Sequence, residues 1–362
     1  KYFEQMLNEP NGEDLAWIEY NIGRVLNFKG EWNEARKFYD HAYDRMIKAK
    51  PPRIKDSAYV LTNVGVILYQ QGKYAEALNY YQRSLKMKEK FYPSGHVDIA
   101  NSLNNIGYVL DSQGKYEEAL DYYQRSLKIY EKFYPSGHVD IATSLMGIGL
   151  ILDSQGKYEE ALDYYQRSLK IYEKFYPSGH VDIATSLMGI GLILDSQGKY
   201  EEALDYYQRS LKIYEKFYPS GHVDIAQSLN NIGNILYNQG KYEEALDYHE
   251  RSFKMREKFY PLGHVHIANS LNNIGSVLDS QGKYDEALDY YQRSLKMKEK
   301  FYPYGHVDIA DSLLNIGVSY AHQNQKEKAL DYFHRALLIY KQFLPIGHAK
   351  CVQVENNIRI LS

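Results

Sequence analysis

The sequence predicts an all-α solenoid, a stack of antiparallel helix pairs in place of one globular core. Three observations carry the prediction. The chain aligns with itself at a period of 42 residues, apolar residues within each period recur at helical spacing, and no segment alternates with the two-residue period of a strand. The clearest unit is "VDIANSLNNIGYVLDSQGKYEEALDYYQRSLKIYEKFYPSGH", residues 97–138, and units 139–180 and 181–222 are identical to each other. Units 223–264, 265–306 and 307–348 follow in register; upstream, 55–96 fits well and 13–54 fits loosely, aligned on Gly23 and Gly65. A repeat this short cannot bury its own apolar face, so neighbours must supply the core.

Within 97–138, Ile99, Leu103, Ile106 and Leu110 mark the first helix, with Ala100 and Gly107 beside them. Asp98 stands at its start, where the helix dipole favours a negative charge, and Gly114 follows its end as a left-handed cap. The second helix opens with Glu117 and Glu118 and is expected to bury Tyr116, Ala119, Leu120, Tyr123, Leu127 and Tyr130. Pro135 and Gly137 stop it near Tyr134. At the ends, residues 2–7 align with a second helix, so 1–12 are expected to finish a preceding repeat and the chain to be a piece of a longer protein. Residues 349–362 read as a capping helix, because Arg359 stands where the helix-packing glycine belongs.

This pattern resembles the tetratricopeptide repeat, whose W-x2-L-G-x2-Y…A-x3-F signature falls on Leu103, Ile106, Gly107, Leu110, Ala119 and Tyr123. HEAT and armadillo repeats have similar periods but not this Gly…Ala…Tyr spacing. The eight extra residues "YPSGHVDI", the Asn-Asn pair and the histidine before each unit are similar to the kinesin-light-chain type. Two departures stand out: Val139 follows His138 where that family usually has proline, and Ser126 replaces an expected alanine. The resemblance implies a right-handed superhelix whose first helices line a concave groove that carries ligand contacts.

Catalytic and cofactor motifs fail one by one. Gly147 and Gly149 begin a G-x-G pattern, but Leu152 occupies the place of the third glycine of a dinucleotide loop. Lys157 is followed by Tyr158, which breaks a Walker A loop, and Phe253 breaks the zinc motif begun by His249-Glu250. The histidines spaced by 42 residues, His96 to His348, lie too far apart to converge on one metal and suit a helix-start or packing role. The expectation is a non-enzyme with no cofactor and no metal. Lys plus Arg total 43 against 46 Asp plus Glu, which excludes a basic nucleic-acid footprint, and no apolar run is long enough to span a membrane. The single cysteine, Cys351, fits a reducing compartment, so a cytoplasmic location is expected.

Function is sought where the repeats differ. Units 97–138 and 139–180 differ only at Asn101/Thr143, Asn104/Met146, Asn105/Gly147, Tyr108/Leu150 and Val109/Ile151, four of them on one face of the first helix. On that face Asn21, Asn63, Asn105, Asn231, Asn273 and Asn315 form a row, thickened by Asn104, Asn230, Asn234 and Asn272 and interrupted by Met146, Leu150, Met188 and Leu192. Amides donate and accept, so such a row can pair with a peptide backbone, and the apolar interruption supplies anchors. The expected function is therefore a protein-interaction scaffold holding an extended peptide segment with apolar anchors, with no nucleic-acid or membrane partner. The alternatives are a structural spacer or self-associating array, and the sensing module of a larger multidomain protein. Asp111, Asp153, Asp195 and Asp279, near the first-helix ends, form either an acidic lip or a solvated face. Because the array itself carries Asn at position 105, Gly147→Asn is expected to fold.

Overall fold

Gly107 lies under the ring of Tyr123 so closely that a Cβ in its place would fall 2.9 Å from ring carbons. This contact, made in every helix pair by a first-helix glycine and a second-helix ring, brings the two helices of a repeat together. The structure, a computed structural model, describes residues 12–176, 179–260 and 263–362, which form seventeen α-helices and no strand. The stretch 2–7 lies outside the described residues. The chain divides into two compact units, Lys1–Ser178 and Gly179–Ser362.

In the first unit the pairs are α1 (Gly12–Phe28) with α2 (Trp32–Lys48), α3 (Ile54–Gln70) with α4 (Tyr74–Phe91), α5 (Val97–Ser112) with α6 (Tyr116–Phe133), and α7 (Val139–Ser154) with α8 (Tyr158–Phe175). The second unit pairs α9 (Val181–Ser196) with α10 (Tyr200–Phe217), α11 (Val223–Asn238) with α12 (Tyr242–Phe259), α13 (Val265–Ser280) with α14 (Tyr284–Phe301), and α15 (Val307–His322) with α16 (Lys326–Phe343). A final helix, α17 (Ala349–Leu361), buries Cys351 and Val354 against the last pair and leaves Arg359 exposed.

The buried residues follow the helical spacing: Ile99, Leu103, Ile106 and Leu110 on α5 against Ala119, Tyr123, Leu127 and Tyr130 on α6. Each such side chain removed from water contributes roughly 1.5–3 kcal/mol. Tyr116, read as buried, is instead 38 % exposed, at the first position of its helix. Ser126 explains the departure from alanine. Its hydroxyl donates to the Ala100 carbonyl oxygen at 2.9 Å, clasping the second helix to the first. The same clasp recurs between Ser84 and Ala58 and between Ser252 and Ala226, both at 2.7 Å.

The turns are built as the sequence requires. Gly114 takes φ +72, and Lys115 N–H donates to the Leu110 carbonyl at 2.9 Å, so the chain reverses within a few residues. In the last pair Asn324 fills the same left-handed position at φ 58. The periodic histidines are helix starters: Nδ1 of His96 accepts the backbone N–H of Asp98 at 3.1 Å, and His306 does the same for Asp308 at 3.2 Å. Tyr92 and His96 stack at 3.8 Å between centroids, which ties the turn to the end of the previous helix. No group of three or more His, Cys, Asp or Glu side chains gathers in metal-binding geometry among the described residues.

Candidate functional site

The first helices present one face that the second helices do not cover, and every position singled out in the sequence lies on these helices. In the first unit, α1 and α3 hold open a cavity of about 690 Å³ lined by Asn21, Arg24, Val25, Asn27, Phe28, Tyr39, Asn63 and Gln70. Phe28 is 94 % exposed, although it is the largest apolar side chain lining that cavity. Asn63 Nδ2 donates to the Tyr20 hydroxyl at 3.0 Å and to the Tyr59 carbonyl at 3.2 Å, and Asn21 Nδ2 to the Trp17 carbonyl at 2.8 Å. Each of these amides thus donates within the fold. Tyr39 is fully buried with its hydroxyl lacking a protein partner, and burial raises its pKa well above the ordinary phenol value.

Further along the same unit, Asn104 is buried and its Oδ1 accepts from the Ser144 hydroxyl at 3.0 Å. Asn105, Tyr108 and Met146 are half-buried, and Leu150 is 40 % exposed. Tyr108 meets Tyr123 edge-on at 5.7 Å. Gly147 is buried beneath that same Tyr123 ring, and a Cβ there would fall 2.7 Å from Cζ. The expectation that asparagine is accepted at 147 therefore changes: the tyrosine of the preceding pair occupies the space that the side chain needs.

In the second unit the asparagines bond to one another from repeat to repeat. Asn273 Nδ2 donates to Asn230 Oδ1 at 3.0 Å and lies 3.4 Å from Asn234 Oδ1, and Asn315 Nδ2 donates to Asn272 Oδ1 at 3.2 Å. Asn231 Nδ2 reaches the Met188 sulfur at 3.4 Å while its Oδ1 accepts from Gln227 Nε2 at 2.9 Å. Asn230, Asn231 and Met188 are buried; Asn234, Asn272, Asn273 and Asn315 are half-buried; Leu192 is 42 % exposed. The amide row is thus first a ladder that locks successive first helices in register, and only its outward atoms face solvent. Leu150 and Leu192 are the most exposed of the singled-out residues.

The aspartates at the helix ends are half-buried, and desolvation pushes the carboxyls of Asp111, Asp153 and Asp195 above the usual range. Asp279 instead lies 3.0 Å from His322 Nδ1. Sequence reasoning missed Val25, Asn27, Phe28, Tyr39 and Gln70 as cavity walls. One signal was legible: Phe28 stands where the next units have Gln70, Ser112 and Ser154.

Residues 56–132, 138–216 and 224–300 match the sequence profile of the tetratricopeptide repeat, and a second tetratricopeptide repeat profile matches residues 272–342, together well over half of the chain. The chain belongs to the tetratricopeptide repeat family. No curated protein matches this tetratricopeptide array in sequence. Its fold is similar to the apo form of the quorum sensor NprR from B. thuringiensis, at 17% identity and a TM-score of 0.66 over 93% of this chain and 90% of that one. It is also similar to the STAND protein PH0952 from Pyrococcus horikoshii, described as having a tetratricopeptide repeat sensor, at 13% identity and a TM-score of 0.69. That match covers 99% of the tetratricopeptide array and about half, 51%, of the PH0952 chain. The apo form of RapI is similar at 17% identity, with a TM-score of 0.59 over 84% of this chain and 99% of that one.

Proposed function

We propose that this tetratricopeptide array is a protein-binding module that captures an extended peptide along the exposed face of its first helices. The observation that carries the reading is the 690 Å³ cavity between α1 and α3, lined by the amides of Asn21, Asn27 and Asn63, by Arg24 and by an exposed phenylalanine. Such a site suits a peptide segment: polar groups meet its backbone and Phe28 meets one apolar side chain. Within the first unit Leu150 is a further anchor and Asn63 and Asn105 are backbone contacts; the second unit, by itself, offers Leu192 and the outward atoms of Asn234, Asn273 and Asn315. The similarity in fold to a quorum sensor and to a protein described as having a repeat sensor supports a sensing role, in which peptide capture is the input. The reading assigns the array no reaction of its own.

A randomised peptide-display library selected on the full chain tests this. Selected peptides are expected to lose at least about tenfold in affinity, one anchor's worth at ~1.4 kcal/mol, on Phe28→Ser, on Arg24→Ala or on Leu150→Ser. Phe28→Ser installs the residue that the array carries at Ser112, so the fold is expected to survive. Peptides that bind all three variants as tightly as the parent chain overturn the assignment of the face.

A further inference from the structure

One aspartate at the end of a first helix already holds a nitrogen donor. In the second unit Asp279, at the end of α13, has its Oδ2 3.0 Å from Nδ1 of His322, which lies 43 residues on at the end of α15. The same offset joins the Tyr69 hydroxyl to Ser112 at 3.1 Å in the first unit. A side chain at this place therefore reaches across to the next first helix. Asp111 occupies it on α5, but the residue 43 further on is Ser154, whose hydroxyl donates to the Leu150 carbonyl of its own helix at 2.9 Å. Asp153 stands at the equivalent place on α7. Neither carboxylate has a hydrogen bond or an ion pair among the described residues, and desolvation is what pushes each above the usual range.

Two buried hydroxyls meet the gap between these helices. The Tyr123 ring runs from α5 to α7: a Cβ on Gly107 would fall 2.9 Å from its Cδ1, and one on Gly147 would fall 2.7 Å from its Cζ. The tip of the ring thus lies between the two helices, and Asp111 follows Gly107 by one turn. Tyr165 covers Gly149, one turn before Asp153. Burial raises its phenol pKa, and the negative charges of Asp153 and Asp111 add to the effect. Tyr123 is fully buried, Tyr165 is 1 % exposed, and neither hydroxyl has a protein partner. A buried hydroxyl left in that state is destabilising, and a ligand atom that bonds to it removes the penalty.

We propose that this gap in the first unit receives an arginine side chain of the captured peptide, its guanidinium between the carboxylates of Asp111 and Asp153 and its methylenes against Tyr108 and Leu150. The proposal rests on the reading that the first-helix face captures a peptide, and it names that peptide as basic. Tyr108 and Leu150 each stand three residues before an aspartate, on the same side of their helices, and Leu150 is 40 % exposed. A guanidinium carries five donors in a planar fork, enough for two carboxylates and a phenol oxygen, and it leaves water more readily than an ammonium. A metal ion is the poorer occupant, because no group of three or more His, Cys, Asp or Glu gathers to hold one among the described residues.

A randomised peptide library displayed against the full chain, and against Asp111→Asn/Asp153→Asn, tests this. The array carries Asn27 at the place of Asp111, and Asp153→Asn keeps the shape while removing a half-buried charge. The variant is therefore expected to melt no lower than the parent chain. Peptides selected on the parent are expected to fix an arginine at one position, and those selected on the variant to lose it while keeping an apolar residue. Replacing that arginine by citrulline, its neutral isostere, is expected to weaken binding to the parent at least about tenfold and to the variant less than about twofold. Replacement by lysine is expected to weaken binding to the parent at least about threefold. Peptides that lose affinity on Phe28→Ser or Leu150→Ser yet carry no fixed arginine overturn the proposal and leave the capture reading standing. Peptides indifferent to Phe28→Ser, Arg24→Ala and Leu150→Ser overturn both. Calcium binding by the parent that the asparagine variant loses also overturns the proposal, by giving the carboxylates to a metal ion.

Discussion

His249 lies over Gly233 with its ring so close that a Cβ on the glycine would fall 2.8 Å from Cε1. It occupies the place that Tyr123, Tyr165, Tyr207 and Tyr291 hold over their own glycines. The substitution puts a titratable ring where burial leaves 1 % of it exposed. Burial, assisted by the nearby Arg256 cation, pushes its pKa down to about 4 from an ordinary 6.5.

Acid is therefore expected to act on this repeat first. The folded state favours neutral His249, so its contribution is whole above about pH 6.5 and is lost as the pH falls toward about 4, by up to about 3 kcal/mol. Denaturant titrations at neutral and mildly acidic pH read this directly. His249→Tyr, which restores the ring of the neighbouring repeats, is expected to flatten the acid limb, and an unchanged limb contradicts the assignment.

Lys88 titrates in the same sense at the alkaline end, since its pKa too is depressed. It is 3 % exposed, donates to the Ser102 hydroxyl at 2.9 Å, and burial lowers its pKa to about 8. A depressed lysine favours the deprotonated fold, so stability gains by about 1 kcal/mol per pH unit between about pH 8 and the ordinary lysine value of 10.5. Lys88→Met is expected to remove that rise while holding or raising stability at neutral pH, because a methionine fills the space without a charge to desolvate. Unfolding midpoints of the two proteins that run parallel from neutral to alkaline pH exclude this account.

The contact of Gly147 with Tyr123 predicts a cost for a change that the sequence alone encourages. Gly147→Asn gains only about 0.3 kcal/mol of helix propensity and forces the ring aside, for a net loss of about 1–2 kcal/mol. Chemical denaturation measures it, and a stabilised variant shows that the ring moves freely.

Shortened arrays are expected to be less stable than the full chain, since each pair draws its core from its neighbours. Calorimetry of arrays of increasing repeat number checks this; one common melting temperature is the contrary result.

The helix pairs were legible because their period is written in the sequence many times over: Leu103, Ile106, Gly107, Ala119 and Tyr123 give the spacing, the partner and the close approach. The face of the first helix was legible as a place where units differ. What lay beyond reading was how the amides spend their hydrogen bonds. Asn230 and Asn273 are 43 residues apart and meet only because consecutive first helices pack in that offset. Likewise, nothing in the letters "LMGIG" says that a tyrosine from the previous pair lies on Gly147. Pairwise distances between repeats depend on their stacking angle, which no single unit encodes.

The serine clasp has a consequence for how the chain is made. Ser126 reaches Ala100 across 26 residues, and Tyr123 reaches Gly107 across fewer, so the contacts that close a pair are all local in sequence. Topologies of this kind fold quickly, because little chain entropy is lost before a contact forms. On a ribosome adding roughly 5–20 residues per second, a pair has its partners in hand within seconds of synthesis. Each new pair then closes against one already folded, and its apolar face is covered while the next unit is still being translated.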